Sequence, residues 1–452
     1  MSRLKMYLAM EDHAVGVDHT DAMAVDIPDV EPVTQEDVYE ADAQLEESSA
    51  ERLEEERGRD EDDALSDEID ERVEALESIS DLLRQGLETH TYSSQFAAIV
   101  DQQLKPYQEM LGLETFELGL ENYGSDSLEA YYTVALEATS ETIYKVGAFG
   151  DVLAKAFDAF NGTAAKARRT MASKSLIKKA DALLEKLSSE TPAKTYFVSL
   201  KGIGNKLTQD GSFPKNLNDA VKKDQKAIDY LLGSYVNAAI ERQQAMQKAV
   251  SDGVKRVRAS DGGVPTKDAE AFAKKGSVES TIPAPIQEGK VLLGGVKITV
   301  PQYTVQDSAA KTLVAMAKAG KVKFSSTDVK DLPPTLTLKV SELRALAVAV
   351  KTYAVMIEKS GDAVGAALKT GLKNSQSQNA YSQNEGDMFI KVFKKNPELQ
   401  AMHKLTKRAP SVMLSVASKA FGHAEDVAKA LLTLANRAGD QEPSTKDDKE
   451  ED

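Results

Sequence analysis

The chain has 452 residues, with 72 Asp and Glu against 56 Lys and Arg and a net charge of −16, and its length exceeds the roughly 250 residues that one core usually organises. Apolar residues make up 41% but aromatics only 6%, with no Trp, so helices packed through Ala, Leu and Val are expected rather than a large aromatic core. Cys is absent, which excludes disulfides, thiol nucleophiles and Cys-ligated zinc and fits synthesis in a reducing cytoplasm; the sequence also lacks a secretory signal and any run near the ~20 apolar residues of a membrane span.

The charge is segregated along the chain. Residues 1–90 hold 29 acids and 7 bases, residues 91–439 hold 36 and 47, and residues 440–452 hold 7 and 2. An acidic leader and a short acidic tail therefore flank a basic body, an arrangement in which the acidic block solubilises or addresses the chain and the basic block meets polyanions. From Glu11 to about Asp67 the leader has two prolines and too little apolar material to offset ordering entropy, which predicts disorder.

In chain order, Ile69, Val73, Leu76, Ile79 and Leu83 recur at helical steps and predict an amphipathic helix ending near Gly86. A second helix is expected over Phe96 to Leu111, interrupted by Pro106, and a stronger one from Ser127 to about Phe160, where Ile143, Val146, Leu153, Phe157 and Phe160 share a stripe. Asn161-Gly162 is its stop, and a further helix spans Thr163 to Ser188. Lys194 to Leu200 reads as a short strand, followed by Gly- and Pro-marked loops. A long helix is expected from Leu217 to about Arg256, with Val221, Ile228 and Tyr235 seven apart for packing against another helix. Residues 259–289 read as a linker.

Beyond the linker, Lys290 to Leu293 and Val296 to Val300 flank Gly294-Gly295 and predict a hairpin. A helix over Asp307 to Ala319, strands at Val322 to Ser325 and Leu336 to Val340, and a helix from Ser341 to Lys359 follow. Lys373 to Gly386, rich in Asn, Gln and Ser, is expected to be a flexible loop, Phe389 to Phe393 a strand, and Val412 to Ala438 a closing helix. The resulting fold class is α+β and predominantly helical. Its organisation is an acidic leader over 1–51, a helical unit over 52–258, the linker over 259–289, an α+β unit over 290–439 and an acidic tail over 440–452.

Motifs that carry chemistry are missing. None of His13, His19, His90, His403 and His423 pairs with another at metal-ligand spacing, and they are expected to be solvated. Lys201-Gly-Ile-Gly-Asn-Lys206 lacks the spacing and the Lys-Ser/Thr pair of a phosphate loop and reads as a turn ending a strand. No nucleophile elbow or kinase set is present. The sequence thus points to a non-enzyme with no cofactor.

Two segments carry functional candidates. Lys166, Arg168, Arg169, Lys174, Lys178 and Lys179 form a run of six bases without an acid, suited to displacing counterions from double-stranded DNA whatever its sequence. No aromatics are interleaved for base stacking, so contact with the phosphate backbone is the expected mode and a solvated helix face is the alternative. The second segment is Gln44 to Glu51, at the end of the acidic leader, where an exposed extended chain would fit a protease cleft. Its last residues are Ser49-Ala50-Glu51, and the bond after Glu279 in Ser277-Val278-Glu279, within the expected linker, is a further candidate.

Taken together, the Ser49-Ala50-Glu51 junction, the acidic leader, the size, the absence of Cys and a long Ala- and Lys-rich body without catalytic motifs resemble the internal head proteins of phiKZ-like giant tailed phages. That resemblance implies synthesis in the bacterial cytoplasm and packaging into the prohead as a structural protein. It further implies trimming by a phage prohead protease after a small residue, any residue and Glu, then retention inside the virion with the DNA. The partners it implies are that protease, capsid or scaffold proteins and the genome. A scaffold or portal-associated assembly protein that binds other capsid proteins is the alternative reading.

Overall fold

The computed structural model describes residues 75–110 except 77 and 81, 128–146, and most of 157–439, with short breaks at 158–159, 161, 260–265, 275–277, 289–291, 328 and 330–331. The expected disorder of the leader, the acidic tail and residues 147–156 of the third expected helix lie outside the described residues.

The first described helices form a small bundle of their own. Helical residues 82–89, α1 (Ser94–Met110) and α2 (Leu128–Val146) bury Leu76, Leu83, Val100, Leu104, Tyr131 and Tyr132 in one cluster. The first of these helices runs past Gly86 to residue 89, and glycine stands at 86 because the Tyr132 ring occupies the space where a side chain would be. Tyr131 donates its hydroxyl to the Ala97 carbonyl at 2.8 Å and to Asp101 at 2.7 Å, so its polar tip is satisfied while its ring is buried.

The body is built around its last helix. The elements in order are α3 (Thr163–Ser188), β1 (Thr195–Ser199), α4 (Leu217–Tyr230), a π turn over Leu231–Tyr235, α5 (Val236–Ala259), α6 (Thr266–Lys274), α7 (Ala284–Gln287), β2 (Val296–Thr299), α8 (Ala309–Lys318), β3 (Lys323–Ser326), β4 (Thr335–Lys339), α9 (Val340–Lys395) and α10 (Pro397–Gly439). α10 packs against α3, α5, α8 and α9, and no residue from 398 to 435 is exposed. Small side chains make that possible: Ala417, Ala420, Ala424, Ala428 and Ala435 are sealed along it, letting neighbouring backbones approach. Each buried Leu or Val of the surrounding helices adds roughly 1.5–3 kcal/mol of transfer free energy.

Local chemistry sets several boundaries. Asn216 caps α4 by accepting from the Asp219 N–H at 3.2 Å, Ser308 caps α8 by accepting from the Lys311 N–H at 3.3 Å, and Glu342 in the first turn of α9 accepts from the Lys339 N–H at 2.8 Å. Three arginines finish other elements from a distance. Arg344 donates to the carbonyls of Leu187, Ser188 and Glu190 at the end of α3 and just past it, Arg408 donates to the Ala317 carbonyl in α8, and Arg437 donates to the Ser199 and Lys201 carbonyls at the end of β1 and just past it.

Several expectations are corrected. Residues 373–386 are not a loop and 389–393 not a strand; both lie inside the 56-residue α9. Their polar residues serve as helix contacts: the Gln378 amide lies 3.1 Å from His403 Nδ1 on α10, and the Asn374 amide donates to Gln243 at 3.3 Å. α10 begins well before Val412 and passes through Pro410. Proline removes the N–H that would bond the Thr406 carbonyl four residues earlier, and the Gln243 side-chain amide takes that carbonyl instead at 3.0 Å.

The expected hairpin is replaced by a longer-range pairing. Gly294 and Gly295 do form a turn, with φ of +67° and +65° that favours glycine, but β2 pairs with β3, and Leu293 bridges to Gln209. β1 pairs with β4 across the expected linker, and one core holds Leu176, Val221, Ile298, Leu346 and Leu431. The body is therefore not divided at 259–289. That stretch carries α6 and α7 and buries Ala269, Ala273, Ile282 and Ile286, small apolar footholds that outweigh its prolines and glycines. The fold class is α+β and predominantly helical, as the periodicities indicate.

Candidate nucleic-acid interface

The six bases of the expected contact run all lie on α3, which has the bounds read from the sequence. They do not share a face. A helix 3.6 residues per turn that lays Ala165, Ala172, Leu176, Ala180 and Leu183 into the core carries Arg168, Arg169 and Lys179 inward with them. Those three are buried, Lys178 is half-buried, and Lys166 and Lys174 are exposed. Lys166 lies 3.4 Å from Asp362 on α9. The run is thus half interior framework, which corrects the single-face reading. The alanine and leucine spacing was a signal available in the sequence, and the density of charge masked it.

The interior bases have specific surroundings. Arg169 donates to the Phe160 carbonyl at 2.7 Å and lies over the rings of Phe160 and Phe421, at 4.8 and 5.6 Å from their centroids. It joins α3, the chain before it and α10 through one guanidinium. Burial, reinforced by the charge of Lys429, lowers the Lys179 ammonium to a pKa of about 8. Lys429 itself is held by Glu425, at 2.5 Å.

Solvent-facing bases occur on other elements as well. Lys222, Lys223 and Lys226 are exposed on α4, and Lys255 and Arg256 at the end of α5. Lys166 and Lys174 on α3 face solvent in the same way.

The most highly organised polar site is one that sequence reasoning passed over. Asp224 on α4 is fully buried. It accepts from the Tyr353 hydroxyl of α9 at 2.5 Å and from the Leu293 N–H before β2 at 2.7 Å, and lies 2.8 Å from His423 Nε2 on α10. Burial opposes a charge on His423, but the Asp224 carboxylate outweighs it and raises the imidazole above its ordinary value. Burial beside that carboxylate also drives the Tyr353 hydroxyl well upward. His423 is consequently a core residue and not a solvated one, and His403 is half-buried against Gln378; His90 is exposed, and His13 and His19 lie outside the described residues. Nothing local marks Asp224, because its partners are 69, 129 and 199 residues away.

Among the described residues no three His, Asp or Glu converge in a way that would hold a metal ion. One small cavity, of about 70 Å³, lies between Tyr235, Arg242, Glu279, Tyr303 and Arg408, well below the roughly 300–1,000 Å³ of small-molecule sites. No described helix is long and apolar enough to cross a membrane. Ser49, Ala50 and Glu51 lie outside the described residues. The alternative bond after Glu279 falls in a 3₁₀ turn, Val278–Thr281, where the Thr281 carbonyl accepts from the Tyr230 hydroxyl at 2.6 Å.

A body dominated by helix packing calls for a comparison at the level of whole sequences. The sequence model of phiKZ-like phage internal head proteins matches residues 35–437. The chain belongs to that family. No curated protein and no solved structure matches it. As an internal head protein it is a structural component of the virion interior, and the family match takes in the end of the acidic leader as well as the helical body. The family is a structural one, which points away from enzymatic work for this internal head protein.

Proposed function

We propose that this internal head protein enters the prohead as an acidic precursor, is trimmed after Glu51 by a phage protease, and remains with the packaged DNA through its exposed lysines. The observation that carries this reading is the separation of charge within a chain of this family. Residues 1–51 carry 14 acids and 2 bases, so their removal takes the net charge from −16 to −4 and leaves a body whose residues 91–439 have more bases than acids. The leader then acts as an electrostatic screen that trimming removes.

Burial of Arg168, Arg169 and Lys179 shifts the expected contacts to Lys166, Lys174, Lys222, Lys223 and Lys226. These act by point charge on phosphates and read no sequence. Anisotropy titrations of precursor, trimmed chain and a trimmed chain with those five lysines changed to Gln test the reading. Neutralising about four to six phosphates gives a log–log salt slope of roughly −4 to −5 for the trimmed form, a weaker precursor and a flatter slope for the variant. Equal binding by all three forms, or an intact Met1 to Glu51 in purified virions by mass spectrometry, overturns the corresponding half.

A further inference from the structure

We infer that the outer face of the β1–β4 ribbon enters the major groove of duplex DNA, where Phe197 packs against thymine methyl groups. Such a contact rests on the proposed retention with DNA and adds recognition of base edges to the phosphate contacts of the exposed lysines.

Side chains alternate across a strand, so the pairing of β1 with β4 sorts their residues onto two faces. Tyr196, Val198 and Leu338 are buried on the core side, with Leu336 half-buried beside them. The other face carries three cross-strand pairs: Thr195 with Lys339, Phe197 with Thr337, and Ser199 with Thr335. All of these are exposed except a half-buried Ser199. The face is rich in hydroxyls, and at its centre Phe197 is 47% exposed, the one phenylalanine among the large apolar side chains that the described residues leave open to solvent.

A sheet face that only meets water has no need of a phenylalanine. The second ribbon shows that ordinary case. Its pairs Lys297 with Ser325 and Thr299 with Lys323 form an outer face without an aromatic, and Lys297 lies 3.3 Å from Asp210. On β1–β4 the aromatic sits among groups that suit base edges. Serine and threonine hydroxyls donate to and accept from bases, lysine donates to guanine, and a phenyl ring packs on the thymine methyl. All of these partners are displayed in the major groove, whose width of ~12 Å admits a two-stranded ribbon with its strands ~4.8 Å apart.

Charge selects the partner. Lys339 at the end of β4 and Lys201 just after β1 are exposed at opposite ends of the ribbon, suited to the phosphates that border a groove. Of the acids adjoining in sequence, Glu190 is paired with Lys194 at 2.6 Å and Glu342 accepts from the Lys339 N–H at 2.8 Å. The ribbon is also fixed at both ends. The Leu200 N–H donates to the Pro334 carbonyl at 3.1 Å and the Val340 N–H to the Lys194 carbonyl at 2.9 Å, while Arg437 donates to the Ser199 carbonyl at 2.9 Å. Anchored in this way, the face presents its side chains in one register to the bases.

The test is fluorescence anisotropy of the full-length chain at low salt with two A·T-rich duplexes of one sequence, the second carrying uracil in place of thymine and so lacking only the methyl groups. The natural chain binds the thymine duplex about fourfold more tightly, the worth of roughly one buried methyl. Phe197→Ala removes that difference and leaves the salt slope unchanged, because no phosphate contact is lost. Thr337→Glu sets a carboxylate at the centre of the face and weakens binding to both duplexes by about tenfold or more. Both positions are exposed, and unaltered urea unfolding confirms that each variant keeps its fold. A chain with Lys222, Lys223 and Lys226 changed to Gln has a flatter slope but keeps the thymine preference. Equal affinity of the natural chain for the two duplexes, or a preference that survives Phe197→Ala, overturns the inference and leaves the lysine contacts standing. Binding indifferent to Thr337→Glu also overturns it and assigns the face to a protein partner. Absence of any DNA binding at low salt overturns the proposed retention with DNA as well.

Discussion

Asp224 and Lys179 are both ionisable side chains enclosed by the same helical core, and the core meets them in opposite ways. Around Asp224 three elements supply a histidine, a tyrosine hydroxyl and a backbone N–H within 2.8 Å. At Lys179 burial and the like charge of Lys429 both lower the pKa of the ammonium. One site converts burial into a tie between α4, α9 and α10. The other lowers the affinity of the ammonium for its proton. A buried charge is thus informative about stability only with its neighbours named.

The largest expected effect comes from breaking the first site. Asp224→Ala leaves the His423 imidazole and the Leu293 N–H buried without their acceptor and is expected to lower stability by about 3–5 kcal/mol in urea unfolding. Asp224→Asn, which keeps an acceptor and the volume, should fall between the two. A loss below about 1 kcal/mol for the alanine form would mean that Asp224 is a passenger in its own network.

The second effect has the opposite sign. Lys179→Met keeps the length of the stem and removes the ammonium, so it should raise stability by about 1–2 kcal/mol at neutral pH. Destabilisation by that variant would show that the ammonium is a net asset.

The smallest effect sharpens the comparison through pH. The folded state holds Lys179 at about 8 against an ordinary 10.5, so between those values the unfolded chain binds the extra proton and stability rises with pH. His423 is raised in the folded state; its contribution is complete below the ordinary imidazole value and fades as pH climbs through the folded one. Stability curves from pH 6 to 10 should therefore lose their high-pH rise in Lys179→Met and their decline beginning near neutrality in Asp224→Asn, each variant altering one limb.

How much of this was legible from sequence divides along the same line. The Asn161-Gly162 stop marked where α3 begins, and short apolar runs indicated the strands near 195, 323 and 336, since those signals are local. A loop was expected at 373–386 from its Asn-, Gln- and Ser-rich composition, whereas α9 is held there by Gln243 and His403 from other helices. The closing helix was expected only from Val412, whereas α10 passes through Pro410, and the amide that takes the freed Thr406 carbonyl is 163 residues away. At the candidate interface the six bases were visible, but their division between surface and core depended on which stripe of α3 met α9 and α10. Asp224 was invisible as one acid among 72.

The position of α10 at the centre of the body has a consequence for the order of events in the host cell. The helix against which α3, α5, α8 and α9 pack is also the last one made. With ribosomes adding about 5–20 residues per second, the interval between the emergence of α3 and that of α10 is roughly 10–50 s. Throughout it, the earlier helices carry apolar stripes with no permanent cover, and neighbouring chains on one message are within reach. Residues 1–51, made before any of these helices, have 14 acids and 2 bases, and like-charged leaders repel. Such repulsion would hold nascent copies apart before any capsid exists, while they are still waiting for their keystone.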